Sequence, residues 1–357
     1  MAAVQTLGVV SCLGGPMRYC GFAAEMLREL FNGSLSKLTP FLVRQGSPDR
    51  NRRDNYDLNK LLTFHPEPGE GLNRIFFNVK KPNRAQLQWH MLYPERQGTK
   101  ENKLAKLNMA ISQFTEDRAK ENRPFLVIGG DHSCAMGTWA GVLNAMQQPD
   151  KFGLIWLDAH MDAHTYLTSP SGNVHGMPVT ALLGRADEKL AALYHSSHYI
   201  NAAYLILIGV RDYEQEEYEL LKHAGVEIVF ANQMNGVVSV LIKAINKLST
   251  TCHKIGISID LDVLDPEDAP GVETPVKGGI KAKELLAALS VIKGYPKICG
   301  LELSEFSPEK DTNHKTLYLM KALVEAFYGK PEWLESSKPN KFFGSSRSGI
   351  KGNSVPS

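Results

Sequence analysis

The sequence contains no long apolar run, little net charge and few cysteines. Its 40 Lys and Arg residues nearly balance 38 Asp and Glu residues, which leaves a formal net charge of +2. This balance provides no strong positive field for attracting nucleic acid or an anionic membrane. No stretch of about 18 apolar residues occurs, and no basic segment followed by an apolar one opens the chain. We therefore expect a cytoplasmic protein without nucleic-acid or membrane partners.

The five cysteines are widely scattered and include no C-x-x-C pair: Cys12, Cys20, Cys134, Cys252 and Cys299. Such spacing argues against a disulfide framework and against a structural zinc site, and it suits a reducing compartment. The hydrophobic content of 43% and the charged content of 22% are ordinary for a globular protein. A chain of this length and composition can bury a large core.

Short apolar runs rich in β-branched residues recur along the chain, and most are followed by a segment with helical spacing. This alternation is typical of βα units and predicts a parallel sheet. The eight predicted strands cover 5–11, 40–44, 124–129, 152–157, 204–209, 226–231, 254–259 and 297–303. The predicted helices include 22–31, 99–114, 216–225, 238–248 and 282–292. Periodicity alone leaves two architectures open, an eight-stranded barrel and an open three-layer sandwich.

Two segments depart from this alternation. Residues 46–100 are mostly polar and charged, with RIFFNV and LQWHMLY as apolar interludes, and we predict a long surface insertion there. Residues 336–357 are rich in Ser, Gly, Asn and Lys and poor in aliphatic residues, which predicts a disordered tail. Residues 1–335, with the insertion included, are predicted to form a single domain.

Three clusters of acidic residues and histidine lie where predicted strands end, which is where α/β folds form their sites. The clusters are GGDHS at 129–133, DAHMDAH at 158–164 and DLDVLDP at 260–266. In the second cluster Asp158, His160 and Asp162 alternate. Since alternate side chains of an extended chain share one face, these three can converge on one point.

The candidate metal ligands combine two imidazoles with four carboxylates: His132, Asp158, His160, Asp162, Asp260 and Asp262. Four negative charges balance two divalent ions, and so many neighbouring charges would be costly without a cation. Surroundings rich in oxygen ligands, together with imidazole, favour manganese over magnesium or calcium. Asp131 and Asp265, by contrast, have the ordinary positions of turn or helix-cap residues.

Five motifs in chain order resemble the motif series of the arginase, or ureohydrolase, family: GGDHS, DAHMDAH, SGNVHG, DLDVLDPEDAPGVETPVKGG and ELSEFSP. They lie within residues 124–310, and the spacing inside each motif agrees as well. The resemblance implies an α/β fold, an open three-layer α/β/α sandwich with an eight-stranded parallel sheet. It also implies two Mn²⁺ ions per subunit, with Co²⁺, Ni²⁺ or Zn²⁺ as alternatives, and a homotrimer or homohexamer.

The same resemblance implies a role for each site residue. His132 and Asp162 would bind one ion, His160 and Asp262 the other, and Asp158 and Asp260 would bridge them. The reaction would be hydrolysis of a guanidino group by a metal-bridging hydroxide, most readily of L-arginine to L-ornithine and urea. His175 would shuttle a proton, Glu305 would hold the guanidinium, and Asp162 would accept a proton while remaining a ligand.

The expected substrate-binding residues at the other end of the pocket are Ser171, Asn173, Glu214, Thr274 and His164. His164 stands where the family usually has an Asn that contacts the substrate α-carboxylate, and Glu214 stands where an Asp is usual. Glu273 also precedes Thr274 where a Gly is common. A ring N–H can still donate to a carboxylate, and Glu keeps the charge of Asp with a longer reach.

Several alternatives to an arginase remain open at this stage. Within the family, the chain could be an agmatinase, a guanidinobutyrase, a formiminoglutamase or a hydrolase of another guanidino compound. Ser171 and Asn173 favour an amino-acid tail over agmatine, which has no carboxylate to bind. Outside the family, a metal-stabilised scaffold without activity is an alternative, since a fold does not guarantee a function. A nucleic-acid binder would need a basic stripe with aromatics, and only NRRDNYD suggests one.

Overall fold

The structure is a computed structural model that describes residues 4–16, 20–32 and 87–329. These residues form one eight-stranded, all-parallel sheet with strand order β2-β1-β3-β8-β7-β4-β5-β6. The strands are β1 Val4–Val9, β2 Leu87–Leu92, β3 Phe125–Ile128, β4 Phe152–Leu157, β5 Leu205–Val210, β6 Glu227–Phe230, β7 Lys254–Asp260 and β8 Ile298–Ser304.

The central strands are apolar at successive positions because both faces of the sheet are covered. Every residue of β4 is buried, which explains a continuous apolar run in place of strict alternation. Its side chains divide between two separate core clusters: Leu154 and Trp156 belong to one, and Ile155 and Leu157 to the other. The sheet is open, because its two end strands, β2 and β6, do not pair with each other. An open sheet with a core on each face confirms the three-layer sandwich and excludes the barrel.

The helices of the described residues are α1 Ala23–Phe31, α2 Lys100–Lys120, α3 Ala135–Ala145, α4 Pro178–Leu182, α5 Glu188–Ala191, α6 Gln215–Ala224, α7 Val237–Ser249, α8 Ala282–Ile292 and α9 Lys315–Tyr328. Helices α1, α7, α8 and α9 contribute to the core on one face, and α2, α3 and α4 contribute to the core on the other. None of these helices is long and apolar enough to cross a membrane.

The edge strand β2 corrects one prediction. It pairs with β1 and lies inside 46–100, so the prediction of a surface insertion is wrong for these six residues. As an edge strand β2 is only partly buried, with Gln88 and His90 exposed, and its mixed composition therefore hides its strand character. The predicted strand at 40–44 and the predicted tail at 336–357 lie outside the described residues.

The loop after β1 contains a second departure from expectation. A disulfide joins Cys12 to Cys20, although the cysteine spacing argued against a disulfide framework. The loop packs against the turn after β3, where a Cβ atom on Gly130 would lie 1.6 Å from the carbonyl oxygen of Ser11. Only glycine allows this approach, so the second glycine of GGDHS is required by packing.

Candidate active site

The sequence clusters converge because their strands are neighbours in the sheet. The order β3-β8-β7-β4 places the carboxyl ends of four parallel strands side by side, the usual position of a site in an open α/β sheet. His132 begins a short 3-10 turn after β3. Asp158 directly follows β4, and Asp260 ends β7.

The candidate ligands form two adjoining groups. In the first group, Nδ1 of His132 lies 3.3 Å from Asp158 Oδ2, 3.0 Å from Asp162 Oδ2 and 3.1 Å from Asp260 Oδ2. In the second, Nδ1 of His160 lies 3.5 Å from Asp158 Oδ1 and 3.1 Å from Asp262 Oδ2. Asp158 thus presents one oxygen to each group, which is the arrangement that a bridging ligand requires.

Two of the candidate ligand atoms that the structure describes lack hydrogen-bond partners, and the neighbouring carboxylates repel one another. Nδ1 of His132 and Oδ2 of Asp162 are buried without a hydrogen-bond partner among the described residues. Burial and the Asp158 carboxylate raise the pKa of Asp162 to about 7. Burial, followed by the Asp262 and Asp158 carboxylates, raises the pKa of Asp260 well above its usual value. Divalent cations would supply the missing partners and remove the mutual repulsion of the carboxylates.

A buried hydrogen-bond chain sets the orientation of His132. The hydroxyl of Ser258 donates to Glu302 Oε2 at 2.7 Å, so its oxygen accepts the Nε2 proton of His132 at 3.0 Å. The Nδ1 lone pair of His132 consequently faces the carboxylates. Glu302 also accepts from the Thr138 hydroxyl and from the Cys134 thiol. Such outer partners orient metal ligands and fix their tautomers.

Sequence reasoning missed these supporting residues, although a signal existed for two of them. Ser258 and Glu302 are paired in register on β7 and β8, and each interrupts a buried apolar strand. A polar residue in the middle of such a strand requires a partner. Trp156, whose indole N–H donates to Asp158 Oδ2 at 2.9 Å, gave no such signal. The predicted cap roles of Asp131 and Asp265 are confirmed, since they accept the backbone N–H of Ser133 and Glu267 respectively.

Glu305 and His175 form a pair beside the first ligand group. Oε1 of Glu305 accepts the backbone N–H of His132 at 2.8 Å and lies 3.1 Å from Nδ1 of His175. Its other oxygen, Oε2, is buried without a hydrogen-bond partner among the described residues. Burial lowers the pKa of His175, but the Glu305 carboxylate together with Asp162 and Asp131 raises it to about 9. At neutral pH His175 is therefore a proton donor.

Strained backbone places two of the acidic side chains. Asp162 has φ of 50° and Glu305 has φ of 66°, both in the left-handed region that residues other than glycine rarely occupy. Strain of this kind costs about 1–3 kcal/mol and persists where surrounding structure enforces it, often at functional sites. The backbone N–H of Glu305 is held by the carbonyl of Gly130 at 2.8 Å.

The predicted substrate-binding residues differ in whether they contact the two ligand groups. The Thr274 hydroxyl donates to Asp262 Oδ2 at 3.1 Å, which joins Thr274 to the second group. His164 lies 3.1 Å from Glu214, and both adjoin Glu217, which sequence reasoning missed. Within the described residues, the hydrogen bonds of the Ser171 hydroxyl stay in its own loop, to Ser169 and to the backbone N–H of Asn173.

Comparisons with known proteins agree with this geometry. A family model described as "Arginase family" matches residues 77–329. An arginase from Brevibacillus brevis is 36% identical over 230 residues, which cover 64% of this chain and 76% of the relative. An arginase from Bacillus subtilis (strain 168) is 37% identical over 225 residues, covering 62% and 75% respectively.

Solved structures show the same relationship at the level of the fold. The crystal structure of arginase from Bacillus subtilis aligns with a TM-score of 0.71 and 28% identity, over 92% of this chain and 99% of that chain. The formimidoylglutamase of Bacillus subtilis subsp. subtilis str. 168 aligns with a TM-score of 0.64 and 20% identity, over 91% and 86%. At that identity the second likeness extends to the fold alone. The resemblance seen in the motifs is thereby confirmed.

Proposed function

The chain belongs to the arginase family and is a hydrolase of carbon–nitrogen bonds in linear amidines, and we propose that it cleaves L-arginine to L-ornithine and urea. Relatives named arginase, at 36% and 37% identity, support this choice of substrate. The proposal rests on the side chains at the carboxyl edge of the sheet, and above all on Glu305.

The buried carboxylate of Glu305 is the observation that carries the proposal. Its side chain is 3% exposed, and Oε2 has no hydrogen-bond partner among the described residues. A guanidinium group offers a planar set of N–H donors that match a carboxylate through short, charge-assisted bonds. Glu305 would therefore hold the guanidinium next to the candidate metal ligands, with its central carbon exposed to attack.

Two divalent ions complete the site, and we propose manganese, with Co²⁺, Ni²⁺ or Zn²⁺ as alternatives. His132 and Asp162 would hold one ion, His160 and Asp262 the other, and Asp158 and Asp260 would bridge them. When bound, such ions lower the pKa of water, so that a nucleophile is available near neutral pH. Imidazole and carboxylate donors in this ratio suit manganese.

Side chains of the protein would donate and accept the protons of the reaction. The amine of ornithine is strongly basic and leaves only when it receives a proton, which a protonated His175 can donate. Glu305 keeps His175 protonated through the contact at 3.1 Å. Asp162 would take up the proton released by the attacking water while it remains a ligand.

The amino-acid end of arginine would bind along the loops beyond the ligand groups. We propose that Ser171 and Asn173 contact the α-carboxylate, that Glu214 contacts the α-amino group, and that Thr274 lines the pocket. Hydroxyl and amide donors suit a carboxylate, and a carboxylate suits an ammonium. His164 belongs to this end of the pocket as well.

Release of urea decides the proposal. Chelated protein would be reconstituted with Mn²⁺, Co²⁺, Ni²⁺ or Zn²⁺ and assayed with L-arginine, agmatine, 4-guanidinobutyrate and formiminoglutamate, with formamide measured for the last. We expect the highest kcat/KM with L-arginine and Mn²⁺. A higher kcat/KM with another substrate would assign the chain to a different activity of the family. No turnover of any of the four would favour a non-catalytic scaffold.

A further inference from the structure

His164 has both ring nitrogens engaged inside the protein. The side chain is 9% exposed, and Nε2 lies 3.1 Å from Glu214 Oε2 and 3.5 Å from Glu217 Oε2. On the other side of the ring, Nδ1 lies 3.1 Å from the hydroxyl oxygen of Thr168. The ring is therefore held between a pair of carboxylates and one hydroxyl group.

The protons of this arrangement can be assigned from its donors and acceptors. An ionised carboxylate only accepts hydrogen bonds, so Nε2 of His164 carries the proton that faces Glu214. With the ring proton of a neutral imidazole on Nε2, Nδ1 is an acceptor, and the Thr168 hydroxyl, which also accepts the backbone N–H of Thr165 at 3.0 Å, donates to it. A neutral imidazole has one N–H and one lone pair, and both are used. No N–H of His164 remains to donate to a substrate carboxylate.

The carboxylates beside His164 are fixed by the backbone. Oε1 of Glu217 accepts the N–H of Ala163 at 2.9 Å, and Oε2 accepts the N–H of Glu214 at 3.1 Å. Glu217 thereby ties the start of α6 to the loop that carries Asp162. Glu214 itself is the N-cap of α6, in a capping box with Glu217, and its side chain is 54% exposed. His164 holds Glu214 Oε2, and the exposed part of the Glu214 side chain stays accessible to a ligand.

We propose that His164 is a positioning residue for the substrate α-amino group, which it serves by holding Glu214, and that it does not contact the α-carboxylate. The inference rests on the proposed function. It replaces the expectation of a direct contact between His164 and the substrate carboxylate, which came from the Asn that the family usually has at this position. An Asn side chain is too short to donate to Glu214 in this way while also reaching Thr168. The carboxylate of the substrate is then left to Ser171 and Asn173.

Two analogues of arginine separate the proposal from the alternative. Agmatine lacks the carboxylate but keeps the amine, and 5-guanidinopentanoate lacks the amine but keeps the carboxylate. With Mn²⁺-loaded protein, the KM for L-arginine and the competitive inhibition constants of both analogues would be measured for the wild type and for His164→Ala. We expect His164→Ala to weaken L-arginine and agmatine about tenfold and to leave 5-guanidinopentanoate within about twofold, with kcat largely retained.

Further variants serve as controls. His164→Gln, whose amide can donate to Glu214, should recover much of the agmatine binding. His223→Ala removes an exposed histidine from the same helix, α6, and should change none of the constants. Metal content by elemental analysis and the thermal unfolding midpoint would show that each variant is folded and loaded.

The remaining outcomes overturn the proposal. Weakening confined to L-arginine and 5-guanidinopentanoate would show that His164 contacts the carboxylate. Equal weakening of all three ligands would indicate a structural role without selectivity, and no weakening would show that Glu214 is held without His164. If the wild type releases no urea from L-arginine, the proposed function fails by itself. Calorimetric binding of the two analogues then still decides the part played by His164.

Discussion

The candidate metal centre and the cluster of His164, Glu214 and Glu217, called here the His164 cluster, contain the same kinds of side chain, yet their hydrogen bonding differs. The candidate metal centre consists of the six candidate ligands His132, Asp158, His160, Asp162, Asp260 and Asp262. In that cluster both ring nitrogens and both oxygens of Glu217 have partners. At the metal centre, Nδ1 of His132 and Oδ2 of Asp162 are buried without hydrogen-bond partners among the described residues. His164 and Glu217 therefore have their hydrogen-bond partners within the protein, whereas divalent cations would supply the missing partners at the candidate metal centre.

The pKa values of the carboxylates express the same difference. Burial and the Asp158 carboxylate raise the pKa of Asp162 to about 7, and burial with the Asp262 and Asp158 carboxylates raises the pKa of Asp260 well above its usual value. Hydrogen bonds from Glu217 and from His164 lower the pKa of Glu214, and burial acts in the opposite direction. Glu217 compensates, because burial and its bond with Glu214 raise its pKa to about 8. The opposite directions of the two shifts place the negative charge of the pair on Glu214, the more exposed of the two side chains.

Loss of a shared ligand should have the largest effect. Asp158→Ala and Asp260→Ala should each abolish urea release and lower the bound metal, because the remaining carboxylates no longer neutralise two ions. Steady-state kinetics and elemental analysis after Mn²⁺ reconstitution would measure both. Asp150→Ala, which removes an exposed carboxylate just before β4, is the matched control. Undiminished turnover by protein shown to be free of metal would refute the metal-dependent mechanism.

Loss of the guanidinium partner should have the next largest effect. Glu305→Gln keeps the shape of the side chain but removes its charge, and we expect kcat/KM to fall by at least about a hundredfold, or roughly 2.7 kcal/mol. Metal content should stay unchanged, because Glu305 is not a proposed ligand. Near-normal kcat/KM in this variant would show that Glu305 does not hold the guanidinium and has a structural role, through its hydrogen bond with the backbone N–H of His132.

Acid should weaken metal binding at the metal centre. Asp162, with a pKa of about 7 without ions, must lose its proton to bind one, so Mn²⁺ affinity should fall about tenfold per pH unit for each proton displaced. For the metal-free protein the sign is opposite: a carboxyl pKa raised on folding makes the unfolding free energy fall as pH rises through about 7. The rise in unfolding midpoint caused by Mn²⁺ should therefore be larger at pH 8 than at pH 6. An equal rise at both values would contradict this assignment of protons.

Loss of an outer partner should have the smallest effect. Ser258→Ala removes the acceptor that fixes the tautomer of His132, and it leaves Glu302 with one donor fewer. Mutations of this type typically lower metal affinity by about 10–100-fold, and we expect the lower end because His132 keeps its packing on Trp156, with ring centroids 4.1 Å apart. Titration with Mn²⁺ measures the affinity, and ¹⁵N NMR of the imidazole reports the tautomer. Unchanged values of both would show that packing alone orients His132.

Some features could be read from the chain because they are local. A fully buried strand such as β4 is apolar along its whole length, and the candidate ligands Asp158, His160 and Asp162 follow it at alternate positions. Both patterns depend only on residues that are close in sequence, so strand and motif could be found without knowledge of the fold. Strand β2 could not be found in this way, because a half-exposed edge strand carries a mixed pattern.

The sequence by itself determined the alternation of strands and helices, the arginase-like motifs and the identity of the metal-ligand candidates. Only the tertiary structure decided which polar groups form hydrogen bonds with one another. Ser258 meets His132 across 126 residues, and His164 meets Glu214 across 50. A hydrogen bond depends on distances of about 3 Å and on the direction of each donor, and the order of strands in the sheet sets those distances between residues that no local pattern connects.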